Sequence, residues 1–259
     1  MKQALDNGLV LRTAAGPEDI ERVAVFNGLI HGPELEPTIR DLMTHYPGID
    51  GRDLVLVEDE TTGQIVSSLL LIPWTLSYEG VALPVGEMGM VGTLEAYRRR
   101  GLVRVQDAYF KRRLRERGCL LSLIQGIPYF YRQFGYEYAL PLEGGLLLGS
   151  RDLPRAAPEA VFTFRQAAPE DLPLLIRLYE QAAEDLAIGT VRDREIWSYL
   201  FSHNTGALAC ETWLVEDAAG RAVGYFRLPE YHFGEELAVN EVSRLDYDAA
   251  LAVLRWLKQ

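Results

Sequence analysis

Between residues 11 and 30 the chain reads LRTAAGPEDIERVAVFNGLI. A short apolar run gives way to a polar break, then to apolar positions spaced as on one face of a helix. The Pro-Glu-Asp at 17–19 marks the helix start: proline fits the first turn, and the acidic pair complements the positive end of the helix dipole. The same order returns at 164–183 in FRQAAPEDLPLLIRLYEQAA. Further along, LVLVEDETTGQIVSSLLL at 54–71 is answered by TWLVEDAAGRAVGYFRL at 212–228. Each is two apolar runs around an acidic turn with a glycine, the pattern of a β-hairpin. Two similarities in the same order, at nearly the same offset, predict a tandem duplication.

The first copy continues with an apolar stretch, VALPVGEMGMVGTL at 81–94, and a helix to about Arg117. A strand, CLLSLIQGI at 119–127, an aromatic helical segment, PYFYRQFGYEYA, and a final strand through Leu148 complete it. The proline- and alanine-rich RDLPRAAPEA at 151–160 reads as a linker, which sets domains at 1–150 and 161–259. The second copy reaches LAVNEVSRL at 237–245 and a helix from Asp246, where the pattern stops at RWLKQ. It has no counterpart of the stretch from Cys119 to Tyr138, so its sheet is expected to end on an open edge, a site for self-association. It is expected to dock on the first copy by burying Leu174, Leu175, Leu178 and Trp197.

A length of 259 residues suits two domains, and 48% hydrophobic content is enough for two cores. No apolar run approaches the roughly 20 residues that span a bilayer. The longest, IVSSLLLIPW at 65–74, is broken by serines and a proline, and MKQALDNGLVLR at the start lacks the apolar centre of a signal peptide. Cys119 and Cys210 stand far apart without metal spacing, so neither a disulfide framework nor a metal site is expected. The default is a reduced, cytoplasmic protein without a membrane partner. A net charge of −11 argues against nucleic acid and favours cationic small molecules.

Against that acidity, nine of the 26 Lys and Arg residues fall between 98 and 117. The densest part is EAYRRRGLVRVQ at 95–106, where three arginines run into Gly101. Beyond it Leu102, Val105, Tyr109, Phe110 and Leu114 share one helix face, with Arg104, Lys111 and Arg115 opposite. The first N–H groups of such a helix have no partner inside it, and with the helix dipole they form an anion site. Arginines at its mouth add charge and paired donors, so the run reads as a pyrophosphate cradle. A solvated arginine-rich face is the bland alternative; a nucleic-acid patch is disfavoured by the overall charge. Neither a G-x-x-x-x-G-K-[ST] nor a G-x-G-x-x-G occurs, which excludes a P-loop and a dinucleotide fold.

YRRRGLV at 97–103, preceded by MVGTL, resembles motif A of the GNAT N-acetyltransferases, V-x-P-x-Y-[RQ]-x-x-G-x-[GA]. FYRQFGYE at 130–137 is similar to that family's F-Y-x-x-x-G-[FY]. The resemblance implies an α/β fold with a mixed, bent sheet and helices on both faces, and acetyl-CoA held between two splayed parallel strands. It implies that Val91, Gly92 and Thr93 bond the pantetheine arm and thioester carbonyl. Arg98, Arg99, Gly101, Leu102, Val103 and Arg104 would hold the pyrophosphate, and Tyr131 would protonate the departing thiolate. Tyr131 also reads as an aromatic core residue, since Tyr129, Phe130, Phe134, Tyr136 and Tyr138 surround it. Glu95 stands where the motif has proline, and Val103 where it has a small residue.

Two GNAT-like copies with the signature only in the first resemble the Eis-like (enhanced intracellular survival) group of bacterial acetyltransferases. No third, sterol-carrier-like segment is present, so the resemblance implies a truncated or unusually short member. The second copy's corresponding corner, SRLDYDAALAVL at 243–254, has no arginine run and two aspartates, so it should bind no CoA. The implied reaction is direct transfer of acetyl from acetyl-CoA to a primary amine of a small molecule or peptide. Backbone N–H groups would hold the oxyanion and Tyr131 would act as acid. Glu87 is the candidate base, with an edge-facing solvated carboxylate as its plainer reading. His31 and His45 fall in the region of the acceptor wall, where a structural role is the simpler reading. A reading of another class also stands: a CoA-binding or assembly module without turnover.

Overall fold

The computed structural model describes residues 1–127, 129–140, 147–149, 151–152, 161–203, 205–230 and 237–258. The hairpin expected at 54–71 forms as β3, Leu54–Asp59, and β4, Gln64–Tyr78. β4 is buried without interruption from Ile65 to Ile72, Ser67 and Ser68 included, as a strand covered on both faces must be. β5, Val81–Thr93, returns antiparallel along it. β2, Leu9–Thr13, lines the other side of β3 and is itself bordered by β1, Lys2–Ala4. At the opposite edge β6, Leu121–Leu123, runs parallel to β5.

Three helices cover this sheet: α1, Pro17–His31; α2, Leu35–His45; and α3, Leu102–Glu116. The period of two along each strand divides the apolar side chains between the faces. Leu9, Leu11, Val55, Val57, Leu69, Leu71 and Met88 pack against Leu102, Tyr109 and Phe110 of α3. Val10, Leu54, Leu56, Leu70 and Ile72 are buried on the other face, where α1 packs on α2, β4 and β5. The C-terminal end of α3 is tied down by buried charge. Asp53 accepts from Arg113 Nε at 2.8 Å, from Arg117 and from the Asp50 N–H at 2.8 Å.

The second sheet has the order β11–β10–β9–β7. Its strands are β7, Thr163–Gln166; β9, Cys210–Glu216; β10, Ala222–Pro229; and β11, Glu241–Val242. Helices α4, Leu172–Ala183, and α5, Arg194–Ser202, bury Leu172, Leu175, Leu178 and Trp197 against Leu214 and Tyr225. On the opposite face α6, Tyr247–Leu257, buries Ala249 and Val253 against Val215 and Phe226. The expected docking face is therefore corrected. Leu175, Leu178 and Trp197 form this unit's own core, with Leu174 partly buried beside them, because a four-stranded sheet needs that apolar layer for itself.

By contacts the chain divides into Met1–Leu140 with Ala187–Arg192, and Pro141–Leu186 with Asp193–Gln259. The strand β8, Ile188–Thr190, joins the first sheet at Leu76–Tyr78 of β4, where β3 has already ended and left the ladder open. The expected final strand through Leu148 falls largely on 141–146, and the expected linker largely on 153–160, both outside the described residues. The strand expected at 119–127 is shorter, holding register with β5 only at Leu121–Leu123. The aromatic segment is a single 3-10 turn, Phe130–Phe134, ended by Gly135 at φ 93°.

The repeated sequence pattern builds the same local device twice. Arg12 forks onto Asp19 at 2.6 and 2.7 Å, and its Nε bonds Glu58 at 2.7 Å, while Asp19 accepts from the Ala15 N–H at 2.8 Å. In the second unit Arg165 forks onto Asp171 at 2.6 and 2.9 Å, its Nε bonds Glu216 at 2.7 Å, and Asp171 accepts from the Ala168 N–H at 2.8 Å. In each unit one guanidinium joins a strand end, the first helical turn and the hairpin.

Candidate active site

β5 and β6 pair only at Val85–Leu121, Gly86–Ser122 and Glu87–Leu123. Past Glu87 no strand among the described residues covers that edge of β5. There the strand also bulges. Register with β4 slips between Leu70–Gly89 and Ser68–Gly92, so Met90 and Val91 share one opposing residue, and Met90 takes φ 52°. Gly92 is closely packed: an added Cβ would lie 3.1 Å from the Phe26 ring and 3.2 Å from Ile30 on α1, so those side chains would have to give way.

After Thr93 the chain turns through Glu95–Tyr97 into Gly101, which caps α3 at φ 74°. That left-handed conformation is what requires glycine here; an added Cβ would meet only open space. No side chain caps the helix and its first turn holds no acid, so its leading N–H groups have no competing anion. Arg98 and Arg99 are exposed beside it, Arg99 at φ 63°. Arg104 bonds Gln133 Oε1 at 3.1 Å, and Lys111 bonds the Phe134 carbonyl at 2.8 Å, so α3 itself anchors the aromatic turn.

These elements enclose a cavity of about 670 Å³. Val91, Gly92, Thr93, Arg98, Arg99, Gly101, Leu102, Val103, Arg104 and Tyr131 all line it, which brings ten of the eleven residues singled out from the sequence to one place. Tyr131 packs edge-on to Phe130 and Tyr136, with ring centroids 5.0 and 6.2 Å away, and burial raises its pKa. Its hydroxyl has no hydrogen-bond partner among the described residues. Tyr136, next to it, is pushed up to about 12 by burial, against the opposing effect of its bond to Ser122 at 2.6 Å.

The eleventh, Glu87, does not line the cavity. It is half-buried on β5, where burial raises its pKa and a hydrogen bond from Trp74 Nε1 at 2.7 Å partly opposes the rise. The plainer reading, an edge-facing solvated carboxylate, is corrected: β4 and β6 flank this position on both sides. His31 does line the cavity, from the end of α1, and its pKa is lowered by burial against a hydrogen bond to the Val91 backbone. His45 instead bonds Asp41 at 3.0 Å and lies outside it. Ile30 and Ile127 also line it without having been singled out, since neither motif reaches α1 or the segment before Phe130, and Gln133 lines it from a variable position inside the second motif.

The second unit's corresponding helix start differs in kind. The Asp246 carboxylate caps α6 by accepting from the Ala249 N–H at 2.8 Å, and Asp248 adds a second acid in the first turn. The place an anion would take is filled by the chain's own carboxylate.

This mixed α/β architecture, with a bulged central strand parted from a short parallel neighbour, is the fold of the GNAT-type acyltransferases. Residues 18–139 match the family model described as acetyltransferase (GNAT) domain. Among solved structures, the chain is similar to a conserved protein of unknown function from Enterococcus faecalis V583, with TM-score 0.69 and 17% identity. That alignment covers 96% of this chain and 62% of the other, so this chain spans less than two thirds of that one's length. It is also similar to a GCN5-related N-acetyltransferase from Anabaena variabilis ATCC 29413, with TM-score 0.68 and 16% identity over 96% of this chain and 62% of that one. Saccharomyces cerevisiae N-myristoyltransferase with bound myristoyl-CoA aligns with TM-score 0.66 and 15% identity over 98% of this chain and 72% of that one. No curated protein matches the sequence. No helix among the described residues is long and apolar enough to cross a membrane.

Proposed function

We propose that this chain is an acetyl-CoA-dependent N-acetyltransferase that moves the acetyl group directly to a primary amine of a small molecule or peptide. The observation that carries the reading is the convergence, on one cavity, of an uncapped helix N-terminus, two exposed arginines and an open stretch of bulged strand. A pyrophosphate suits the first two: the N–H groups of Leu102, Val103 and Arg104 face no competing anion, and Arg98 and Arg99 are exposed, with Arg98 giving only its Nε to the Thr93 carbonyl at 3.4 Å. The thioester then lies along Val91–Thr93, whose backbone N–H groups stabilise the oxyanion formed when a neutral amine attacks. Tyr131 gives its proton to the departing sulfur; its raised pKa keeps the phenol protonated until then.

Glu87 takes the amine proton through water. Val91 lies four positions further along the strand, about 13 Å at about 3.3 Å per residue, which exceeds direct reach. Its position away from the cavity wall is also what favours the second reading, a CoA-binding or assembly module without turnover. Thiol release from acetyl-CoA across polyamines, aminoglycosides, peptides and lysine side chains, alongside CoA binding, separates the two. Binding without release on any amine would replace the transferase with the module.

The second unit acts as a non-catalytic GNAT-like half in a tandem Eis-like arrangement, with the domains expected at 1–150 and 161–259 except that Ala187–Arg192 goes with the first unit and the stretch from Pro141 with the second. The repeated Arg–Asp–Glu device supports a common origin, and the Asp246 cap supports its lack of a CoA site. The reading places the enzyme in a bacterial cytoplasm, as a homo-oligomer.

A further inference from the structure

Four polar side chains are fully buried beneath the β5 bulge and contribute to none of the roles above: Asn27, Ser67, Ser68 and Gln106. Burying such groups costs free energy unless each is hydrogen-bonded. Ser68 donates to the Met90 carbonyl at 3.2 Å and accepts from the Asn27 amide at 3.0 Å. That amide is fixed in turn by the Val23 carbonyl of α1 at 2.9 Å. Ser67 Oγ lies 2.7 Å from the Gly92 carbonyl, 2.8 Å from Thr93 Oγ1 and 2.7 Å from Gln106 Oε1. The Gln106 amide donates to the Val55 carbonyl at 3.3 Å. Ser67 has one proton for two acceptors, so the Thr93 hydroxyl donates to Ser67, whose own proton is shared between Gly92 and Gln106.

The Met90 and Gly92 carbonyls belong to the peptide units that carry the N–H groups of Val91 and Thr93, two residues that line the cavity. A trans peptide is planar, with its C=O and N–H pointing in opposite directions. Holding the Gly92 carbonyl at Ser67 therefore turns the Thr93 N–H away from β4, towards the side where β6 has ended. The ladder agrees: Leu94 donates to the Val66 carbonyl at 3.0 Å, which makes the adjacent Ser67–Thr93 pair one whose main-chain groups face outward. Holding the Met90 carbonyl at Ser68 likewise turns the Val91 N–H away from Ser68. At Met90 the regular ladder is broken, so no strand pairing sets that orientation by itself.

We infer that Ser68 and Ser67, braced by Asn27 and Gln106, are positioning residues that aim the Val91 and Thr93 N–H groups at the thioester carbonyl, one serine to each. The inference rests on the donor-binding reading of this strand. It differs from ordinary core support because it assigns each hydroxyl to a different amide.

The test uses the full chain with Ser68→Ala and Ser67→Ala, and with Ser68→Thr and Ser67→Thr as hydroxyl-retaining partners. Three readouts are taken: CoA affinity by calorimetry, turnover of acetyl-CoA with the best amine of the panel, and NMR shifts of the Val91 and Thr93 amides. Each alanine variant is expected to keep CoA affinity within about twofold and acetyl-CoA KM nearly unchanged, while kcat falls about 10- to 100-fold. That is somewhat less than the loss of an entire oxyanion donor. The threonine variants recover most of the loss. Ser68→Ala removes the shift that acetyl-CoA adds beyond CoA at Val91 and spares Thr93; Ser67→Ala does the reverse. If Ser67→Ala fails to fold, Gln106→Ala reads the same half by removing only the brace. Unchanged kcat with both shifts intact overturns the inference, and so does an equal loss at both amides together with CoA affinity. A wild-type chain with the acetyl-dependent shifts but no turnover sinks the transferase reading and leaves this one standing. A wild-type chain that binds no CoA sinks both.

Discussion

Replacing Arg98 and Arg99 together by alanine removes the two exposed cations that line the cavity beside the uncapped start of α3. Two unit charges about 4 Å apart are worth about 1 kcal/mol in water and about 4 kcal/mol at an effective dielectric of about 20. Both guanidiniums are exposed, so about 1–1.5 kcal/mol each, or about 2–3 kcal/mol together, is the appropriate range. At about 1.4 kcal/mol per decade this raises the KM for acetyl-CoA about 30- to 150-fold. In the proposed mode the phosphates would lie far from the reacting atoms and bind alike in ground and transition states, so kcat at saturating donor should stay near wild type. Arg100 supplies the control. It stacks on the Tyr97 ring at 4.6 Å, bonds the Ala96 carbonyl at 3.0 Å and does not line the cavity, so Arg100→Ala should leave KM within about twofold. The assay is initial-rate kinetics against acetyl-CoA at two salt concentrations, and the wild-type advantage should narrow at the higher one. An unchanged KM in the double variant, or an equal rise with Arg100→Ala, would refute the cradle.

Tyr131→Phe should retain CoA affinity and lower turnover about 10- to 1,000-fold, the span of a lost general acid, as measured by steady-state rates; wild-type turnover would return Tyr131 to core packing. Glu87→Gln should lower kcat, and its effect on stability should depend on pH. The folded-state pKa of Glu87 is raised above its unfolded value, so protonation favours the fold; wild-type stability is fully present below the ordinary carboxylate range and is lost as pH rises through the raised value. Thermal unfolding should therefore show the glutamine variant gaining on wild type only above that range, and a constant difference at all pH values would contradict the burial argument. Asp53→Ala leaves buried Arg113 with Asp50 and Glu116 alone, and urea unfolding should show a loss of about 3 kcal/mol. Titration with CoA should saturate at one site per chain, because the Asp246 carboxylate already occupies the start of α6 in the second unit; a second site there would contradict the capped-helix reading.

Much of the site was legible because its parts are local in sequence. A glycine that takes φ 74° before an amphipathic helix, with arginines just ahead of it, brings unpaired N–H groups and positive charge together without help from a distant residue. The hairpins and the Pro-Glu-Asp helix start were legible for the same reason. What the motifs could not reach was everything assembled across strands. β8 joins β4 because β3 ends early, and no local pattern announces a vacancy at Leu76–Tyr78. Leu174, Leu175, Leu178 and Trp197 show as an apolar face in sequence, but periodicity says only that a face is buried, not against what.

Ser67 and Ser68 mark the boundary most clearly. In sequence they are two polar residues interrupting IVSSLLL, visible only as a break in an apolar run. Their meaning lies in Gly92, Met90, Asn27 and Gln106, which come from three other elements and meet them only when β4, β5, α1 and α3 are stacked. The chain by itself determined the alternation of strands and helices, the charged helix start and the aromatic turn, since these follow from side-chain period, backbone torsion and short-range charge. Only the tertiary structure decided that Glu87 stands off the cavity, that His31 lines it and that β5 parts from β6 after three residue pairs. Those depend on register, on a bulge and on which buried polar groups find partners, and register is settled by all the strands together.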